Sequence, residues 1–214
     1  MRDDGYFDER IAARYDETSA EMFASEIVDP AVELLYEIAG GGRALELGIG
    51  TGRIALPLAE RGVPVHGIEL SKAMAAELRA KPGGADIGVT IGDFATTSVE
   101  GSFSLAYLVF NTIMNLTTQA AQVACFHNVA AHLEPGGCFV VDVMTPELQR
   151  LPPGDTFRVF PGATTTGGST NTTSRRRALR PTTSRSSTGD SSVSRCRSVT
   201  CGPRSSTSWH SSPA

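Results

Sequence analysis

Apolar and polar positions along the 214-residue chain switch between two periods. Over residues 7–20 and 28–39 the apolar positions recur at helical spacing. In the second stretch Val32, Leu35, Tyr36 and Ala39 form a stripe that Ile38 widens, Pro30 stands near the start and Gly40-Gly41-Gly42 ends it. Ala44-Leu45-Glu46-Leu47 is a short apolar run closed by Gly48, and a helix is expected from about Thr51 to Arg61. Residues 63–68 read as the next strand and Ser71 to Lys81 as the next helix, with Ser71 as its N-cap. Residues 87–91 and Phe103–Phe110 give a third and a fourth strand. Residues 117–133 read as a helix with Val123, Phe126, Ala130 and Leu133 on one face. Pro135-Gly136-Gly137 reads as a turn, and Cys138–Val143 as a fifth, nearly all-apolar strand. Strands alternating with helices of this length predict βαβ units, hence an α/β fold with a doubly wound, mostly parallel sheet covered on both faces.

Composition divides the chain. Residues 163–214 hold 14 Ser, 11 Thr and eight Arg against one acid, Asp190, and carry a net +7; residues 1–162 hold 11 basic and 22 acidic residues, a net −11. The tail has only Leu179, Val193 and Val199 from the large aliphatic and Phe set, so it is expected to be disordered or non-native and not to pack alone. The Arg175-Arg176-Arg177 run reads as a solvated basic stretch. No apolar run is long enough to span a membrane, and the acidic residues after Met1 do not read as a signal peptide. Cys125, Cys138, Cys196 and Cys201 show no CxxC spacing, which predicts neither a zinc site nor a disulfide framework. A cytoplasmic chain without membrane or nucleic-acid partners is the resulting expectation.

The sharpest feature is Glu46-Leu47-Gly48-Ile49-Gly50-Thr51-Gly52, which follows a strand and opens a helix. Glycine permits the tight turn and lets a ligand lie on bare backbone, and a helix N-terminus adds unpaired N–H groups. The spacing is G-x-G-x-G with Arg53 next, not G-x-G-x-x-G, and no G-K-[ST] follows, which disfavours a nicotinamide enzyme and a nucleotide-phosphate loop. Seventeen residues after Gly52, Glu69 ends the second strand, where a carboxylate can accept from a ribose diol. Asp93 and Phe94 end the third, placed to meet an exocyclic amine and a purine face.

Ala44–Gly52, Glu69, Asp93 and Leu133-Glu134-Pro135-Gly136-Gly137 together resemble the class I S-adenosylmethionine-dependent methyltransferases of the small-molecule type, over about residues 5–160. The resemblance implies a Rossmann-like sheet of order 3-2-1-4-5-7-6, S-adenosylmethionine as cofactor and a small-molecule acceptor. It assigns the methionine portion to Glu46 with Gly48, Gly50 and Gly52, the ribose to Glu69, and the adenine to Asp93 and Phe94. Met74, in Glu69-x-Ser71-x-x-Met74, would pack on adenine, and Tyr15, in Ala13-Arg14-Tyr15-Asp16, would close over the methionine end. Phe110 and Asn111, after the fourth strand, stand where the family presents residues to the acceptor. Ser104 replaces the family's usual Asp, at a position that is structural more than chemical. The last two strands of the family are not legible in residues 163–214, which would leave the fifth strand as an exposed apolar edge.

Blander readings stand beside these. Gly92-Asp93 is ordinary turn chemistry, and Tyr15 is equally a core-packed helix residue. His127 reads as solvated or structural, His66 as strand packing and His132 as a helix C-terminal charge, so no catalytic base is named. Function readings from other classes are a cofactor-binding module without catalysis and an aminopropyltransferase. The latter needs an acid after the fourth strand, and Tyr107–Leu116 has none.

The tail also reads as the product of a shifted reading frame. Sliding the frame back one base turns TCN serine codons into Phe, Leu, Ile or Val and ACN threonine codons into Tyr, His, Asn or Asp. With suitable third bases, Cys196–His210 becomes Val-Pro-Phe-Arg-Tyr-Val-Trp-Pro-Ala-Glu-Leu-Asp-Leu-Met-Ala, a strand-like run followed by a Pro-led helical one.

Overall fold

A computed structural model describes residues 6–144 and 195–202. Its elements run α1 (Glu9–Thr18), α2 (Ser25–Ala39), β1 (Ala44–Leu47), α3 (Ala55–Glu60), β2 (Val65–Glu69), α4 (Lys72–Ala80), β3 (Gly88–Ile91), β4 (Phe103–Leu108), α5 (Gln119–His132), β5 (Leu133–Met144) and β6 (Arg195–Cys201). The sheet order is β3-β2-β1-β4-β5-β6. β1 pairs in parallel with β2 and β4, β2 with β3, and β4 with β5. The order reverses direction at β1, so the crevice beyond the carboxyl ends of β1, β2 and β4 is the place where such sheets take ligands.

Both faces of the sheet are covered. On one, Leu35, Val32 and Ala39 of α2 pack with Leu58 of α3 and Leu78 of α4 against Ala44, Leu105 and Tyr107. On the other, Cys125 and Val129 of α5 pack with Leu45, Leu47, Phe103, Ala106 and Leu108. Burial on both faces explains why β1 reads as four apolar or buried positions in a row rather than alternating. Among the described residues, no helix is long and apolar enough to cross a membrane, and no cluster of three or more His, Cys, Asp or Glu could hold a metal ion.

Several expectations are corrected. α5 buries Cys125, Val129 and His132 and leaves Val123 and Phe126 each 49% exposed, with Phe126 set edge-on against Phe139. Small Ala and Cys positions let this helix present a different face from its bulkiest side chains. Tyr36 likewise lies at the rim of α2 under the Arg61 guanidinium. Pro135-Gly136-Gly137 is no free turn but a bulge inside β5: Leu133 pairs with Phe103 and Cys138 with Leu105, with Gly136 at φ 88°. His132 is no exposed charge. It is buried, its Nδ1–H donates to the Asn128 carbonyl and its Nε2 accepts from the Val99 N–H.

The tail supplies a strand. β6 lies beside β5, so β5 is not an edge, and Cys138 is joined to Cys201 by a disulfide that the spacing of the cysteines did not show. Six strands, where the resemblance implies seven, are the described sheet. Residues 145–194 and 203–214, with the Arg175–Arg177 run and the expected boundary near 162, lie outside the described residues.

Candidate cofactor site

The loop after β1 is built by its glycines. Gly48, Gly50 and Gly52 have φ of 71°, 57° and 84°, the left-handed region that side chains disfavour. Space adds a second constraint at Gly52, where a Cβ would run into Leu78, and at Gly48, where it would lie 2.9 Å from Thr112 Cγ2. Between them Ile49 turns inward and is buried over Gly67 of β2, which has no Cβ to obstruct it. The Gly48 and Ile49 N–H groups donate to the Ile68 carbonyl, at 2.8 and 3.2 Å. The loop is thereby fastened to the end of β2.

Glu69 makes that fastening chemical. One carboxylate oxygen accepts from the Gly50 N–H at 2.8 Å and the other from the Ser71 N–H at 2.9 Å. Burial raises its pKa, and the N–H groups of Ser71, Gly50 and Leu70 pull the other way. Each oxygen keeps a second lone pair, so the group that orders the loop can also accept from a diol.

Glu46 is buried and pairs in register with Tyr107 of β4, whose hydroxyl donates to Oε2 at 2.9 Å. Burial pushes the Glu46 carboxyl up to about 8, against the Tyr107 hydrogen bond, Arg53 and the Ala55 N–H, with Glu69 adding to the rise. Burial likewise holds the Tyr107 hydroxyl well above its ordinary range. Asp93 is exposed and accepts from the Ala95 N–H at 2.8 Å, while Phe94 is buried with its ring toward Gly48. Met74 is buried with its methyl beside Gly50, and the Ser71 hydroxyl caps α4 by accepting from its N–H.

An N-terminal cover is tied to this loop. The Asp16 carboxylate accepts from the Thr51 hydroxyl at 2.6 Å and pairs with Lys81, whose ammonium also donates to the Thr51 carbonyl. The Ser71 hydroxyl donates to the Phe7 carbonyl. Tyr15 sets its ring edge-on between Phe7 and Phe23, at centroid distances of 5.7 and 6.5 Å. Beyond β4, Phe110 and Asn111 stand at φ 58° and 63°, consecutive non-glycine residues in the left-handed region. The Arg53 guanidinium lies 3.7 Å from the Phe110 ring centre and 5.3 Å from that of Phe23.

Residues 44–137 match the family described as a methyltransferase domain. The CcbJ methyltransferase from Streptomyces caelestis superposes with a TM-score of 0.63 at 37% identity, covering 70% of this chain and 62% of that one. Over residues 44–137 the chain is similar to a methyltransferase domain. The cypemycin N-terminal methyltransferase of a Streptomyces species is 30% identical to the chain over 144 residues, 64% of this chain and 59% of that protein. CalS10 of Micromonospora echinaspora, an amino pentose methyltransferase solved with S-adenosylmethionine bound, is similar at 28% identity and a TM-score of 0.50, over 64% of this chain and 56% of that one. The chain thus spans about three fifths of the length of the relatives it matches.

The fold brings Glu46, Gly48, Gly50, Gly52, Glu69, Met74 and Phe94 around one loop and sets Asp93 at the adjoining strand end. Ser104, the departure from the family pattern, donates to the Ala39 carbonyl at the end of α2. His66 bonds Thr90 of β3 from within β2, and His127 is exposed. Sequence reasoning missed Tyr107, Arg53 and the Asp16–Thr51–Lys81 contacts. Tyr107 had a signal, a polar-tipped residue inside an apolar parallel strand, which needs a buried partner.

Proposed function

We propose that the chain binds S-adenosylmethionine at the β1 loop and transfers its methyl group to a small-molecule nucleophile. The observation that carries the reading is the Glu69 carboxylate. Anchored by Gly50 and Ser71, it stands at the end of β2 beside a left-handed glycine loop, as a ribose acceptor should. The residues fit the cofactor: the loop offers bare backbone, Glu69 has lone pairs for the ribose hydroxyls, and Asp93 keeps an oxygen for an exocyclic amine. When bound, the cofactor supplies a methyl group on a sulfonium sulfur, already activated for displacement.

The chain's own residues have positional work to do. The glycine loop and Glu69 fix the adenosyl end. Tyr15, with the cover formed by α1 and Phe23, shields the methionine end from water. Phe110 and Asn111 orient the acceptor so that nucleophile, methyl and sulfur lie in line. Such orientation is worth up to roughly 7–11 kcal/mol of barrier. An amine nitrogen is the nucleophile that the names of the cypemycin and amino pentose enzymes support.

A second reading is cofactor binding without turnover. Labelled methyl transfer from S-adenosylmethionine to a panel of amine acceptors tests both. Product formation supports the transferase; tight cofactor binding with no product on any acceptor supports the second reading; absence of cofactor binding by folded protein refutes both.

A further inference from the structure

We infer that Asn128 of α5, with His132 one turn further on, sets the position of the strand end that carries Asp93 and Phe94, so that the preference of the site for a 6-aminopurine depends on two side chains acting through the backbone of the β3–β4 connection. The inference rests on the cofactor reading above and adds two positioning residues and a specificity to it.

In the sheet order, the connection from β3 to β4 must pass β2 and β1, three strand spacings or about 14 Å, and return to the amino end of the sheet. Parallel strands are usually joined through a helix, which satisfies its own backbone. Here residues 92–102 form neither helix nor strand, so their polar backbone groups need partners from elsewhere. α5 supplies three of them. The Asn128 Nδ2 donates to the Phe94 carbonyl at 3.0 Å and to the Thr97 carbonyl at 2.9 Å. The His132 Nε2 accepts from the Val99 N–H at 2.8 Å. Carbonyl oxygens only accept, so the Asn128 amide must turn its nitrogen to the connection. The Val99 N–H only donates, so the proton of His132 sits on Nδ1 and goes to the Asn128 carbonyl at 2.7 Å.

Asp93 stands between two anchors. On one side the Gly92 N–H donates to the Glu69 carbonyl at 2.9 Å, which ties the turn to the ribose acceptor. On the other side the Phe94 carbonyl is held by Asn128. Within the turn, the Asp93 carbonyl accepts from the Thr96 and Thr97 N–H groups at 3.0 and 2.8 Å, and one carboxylate oxygen accepts from the Ala95 N–H. The second oxygen is therefore aimed by the turn, and Asn128 closes the far end of that turn through the Thr97 carbonyl. Phe94 and Ala95 are buried in the same apolar layer as Cys125 and Val129 of α5. Without the Asn128 amide this apolar contact remains, but the strand end loses its register against Glu69. A hydrogen bond from a 6-amino group weakens steeply once its angle is lost, so recognition of the base suffers before the fold does.

The test is titration calorimetry on the full chain with the demethylated product of S-adenosylmethionine, its purine analogue carrying hydrogen in place of the 6-amino group, and its 2′-deoxy form. Wild type is expected to prefer the 6-amino ligand over the purine analogue by about 10- to 100-fold, the range for a hydrogen bond to a charged group. Asn128→Ala should cut that preference at least about threefold, the low end for a neutral hydrogen bond, and leave the preference for ribose over deoxyribose as in wild type. Asn128→Ser, too short to reach both carbonyls, should behave alike. His132→Leu should lower the 6-amino preference in the same way, and His132→Gln, whose Oε1 can accept from the Val99 N–H, should restore it. An unchanged 6-amino preference in folded Asn128→Ala or Asn128→Ser overturns the inference. So does an equal fall in both preferences, which is a general loosening of the fold. A wild type that binds all three ligands without favouring the 6-amino group refutes the adenine role of Asp93, and one that binds none refutes the cofactor reading itself; the inference falls with either.

Discussion

Replacing Glu69 by Ala removes one side chain that has two duties, and the two can be measured apart. In the free protein its oxygens satisfy the Gly50 and Ser71 N–H groups at 2.8 and 2.9 Å. Losing an acceptor for a charged hydrogen bond costs about 1.5–3 kcal/mol. Against this, the buried carboxylate is itself desolvated, as the direction of its pKa shows, and removing it returns part of that cost. The free protein is therefore expected to lose about 1–3 kcal/mol of stability, less than two such bonds together. Cofactor binding loses the diol contacts as well, about 1.5–3 kcal/mol, or roughly a 10- to 150-fold rise in Kd. Denaturant unfolding of free protein measures the first quantity and calorimetry with S-adenosylmethionine and its demethylated product the second. A 2′-deoxy form of the demethylated product separates diol recognition from loop disorder. It should bind wild type more weakly than the ribose form and bind Glu69→Ala with no such difference. An equal 2′-deoxy penalty in both proteins would refute the ribose assignment even if Glu69→Ala binds poorly.

Burial pushes the folded-state Glu46 carboxyl up to about 8, above its ordinary carboxylate value, so the folded state binds more protons than the unfolded chain across that interval. Stability of the free protein should therefore fall as pH rises from about 5 to 8, and Glu46→Gln should flatten that slope, read from melting temperatures across the range. Tyr107→Phe leaves Glu46 without its hydroxyl donor and should cost about 1–3 kcal/mol in denaturant unfolding, the wild-type value being the failing result. Gly52→Ala combines left-handed backbone with a collision at Leu78 and should cost at least about 1–2 kcal/mol, whereas Gly41→Ala, with open space at its Cβ, carries the backbone cost alone. Sequencing the gene tests the frame-shifted origin of the tail: an open shifted frame through residues 165–200 supports it, and early stop codons there sink it.

The sheet order, the glycine loop and the strand-end acids were legible because each leaves a local mark: an apolar run, a G-x-G-x-G, an acid closing a strand. The contacts that make the site a unit leave none. Asp16 meets Thr51 across 35 residues and Tyr107 meets Glu46 across 61, pairings that only the tertiary fold creates. α5 was misread for a physical reason. Its bulkiest apolar residues, Val123 and Phe126, suggest the buried stripe, yet the close approach to the sheet is made by Cys125 and Val129. His132 was read as a charge from its place at a helix end, and the Val99 N–H that engages it lies 33 residues earlier. β6 was not legible because Arg195–Cys201 alternates too many polar residues to suggest sheet pairing.

The Asp16–Thr51–Lys81 contacts and the Ser71–Phe7 hydrogen bond separate two kinds of boundary. The family match marks out residues 44–137. Mechanical integrity marks out more, because the loop inside that stretch is braced by Asp16 and by the Phe7 carbonyl, both well upstream of residue 44. A chain trimmed to residues 44–137 would leave Lys81 without its Asp16 counter-charge and the Thr51 hydroxyl without its Asp16 acceptor, at the end of α4 and in the glycine loop. In this chain, the stretch that the family match delimits is smaller than the stretch that braces the loop.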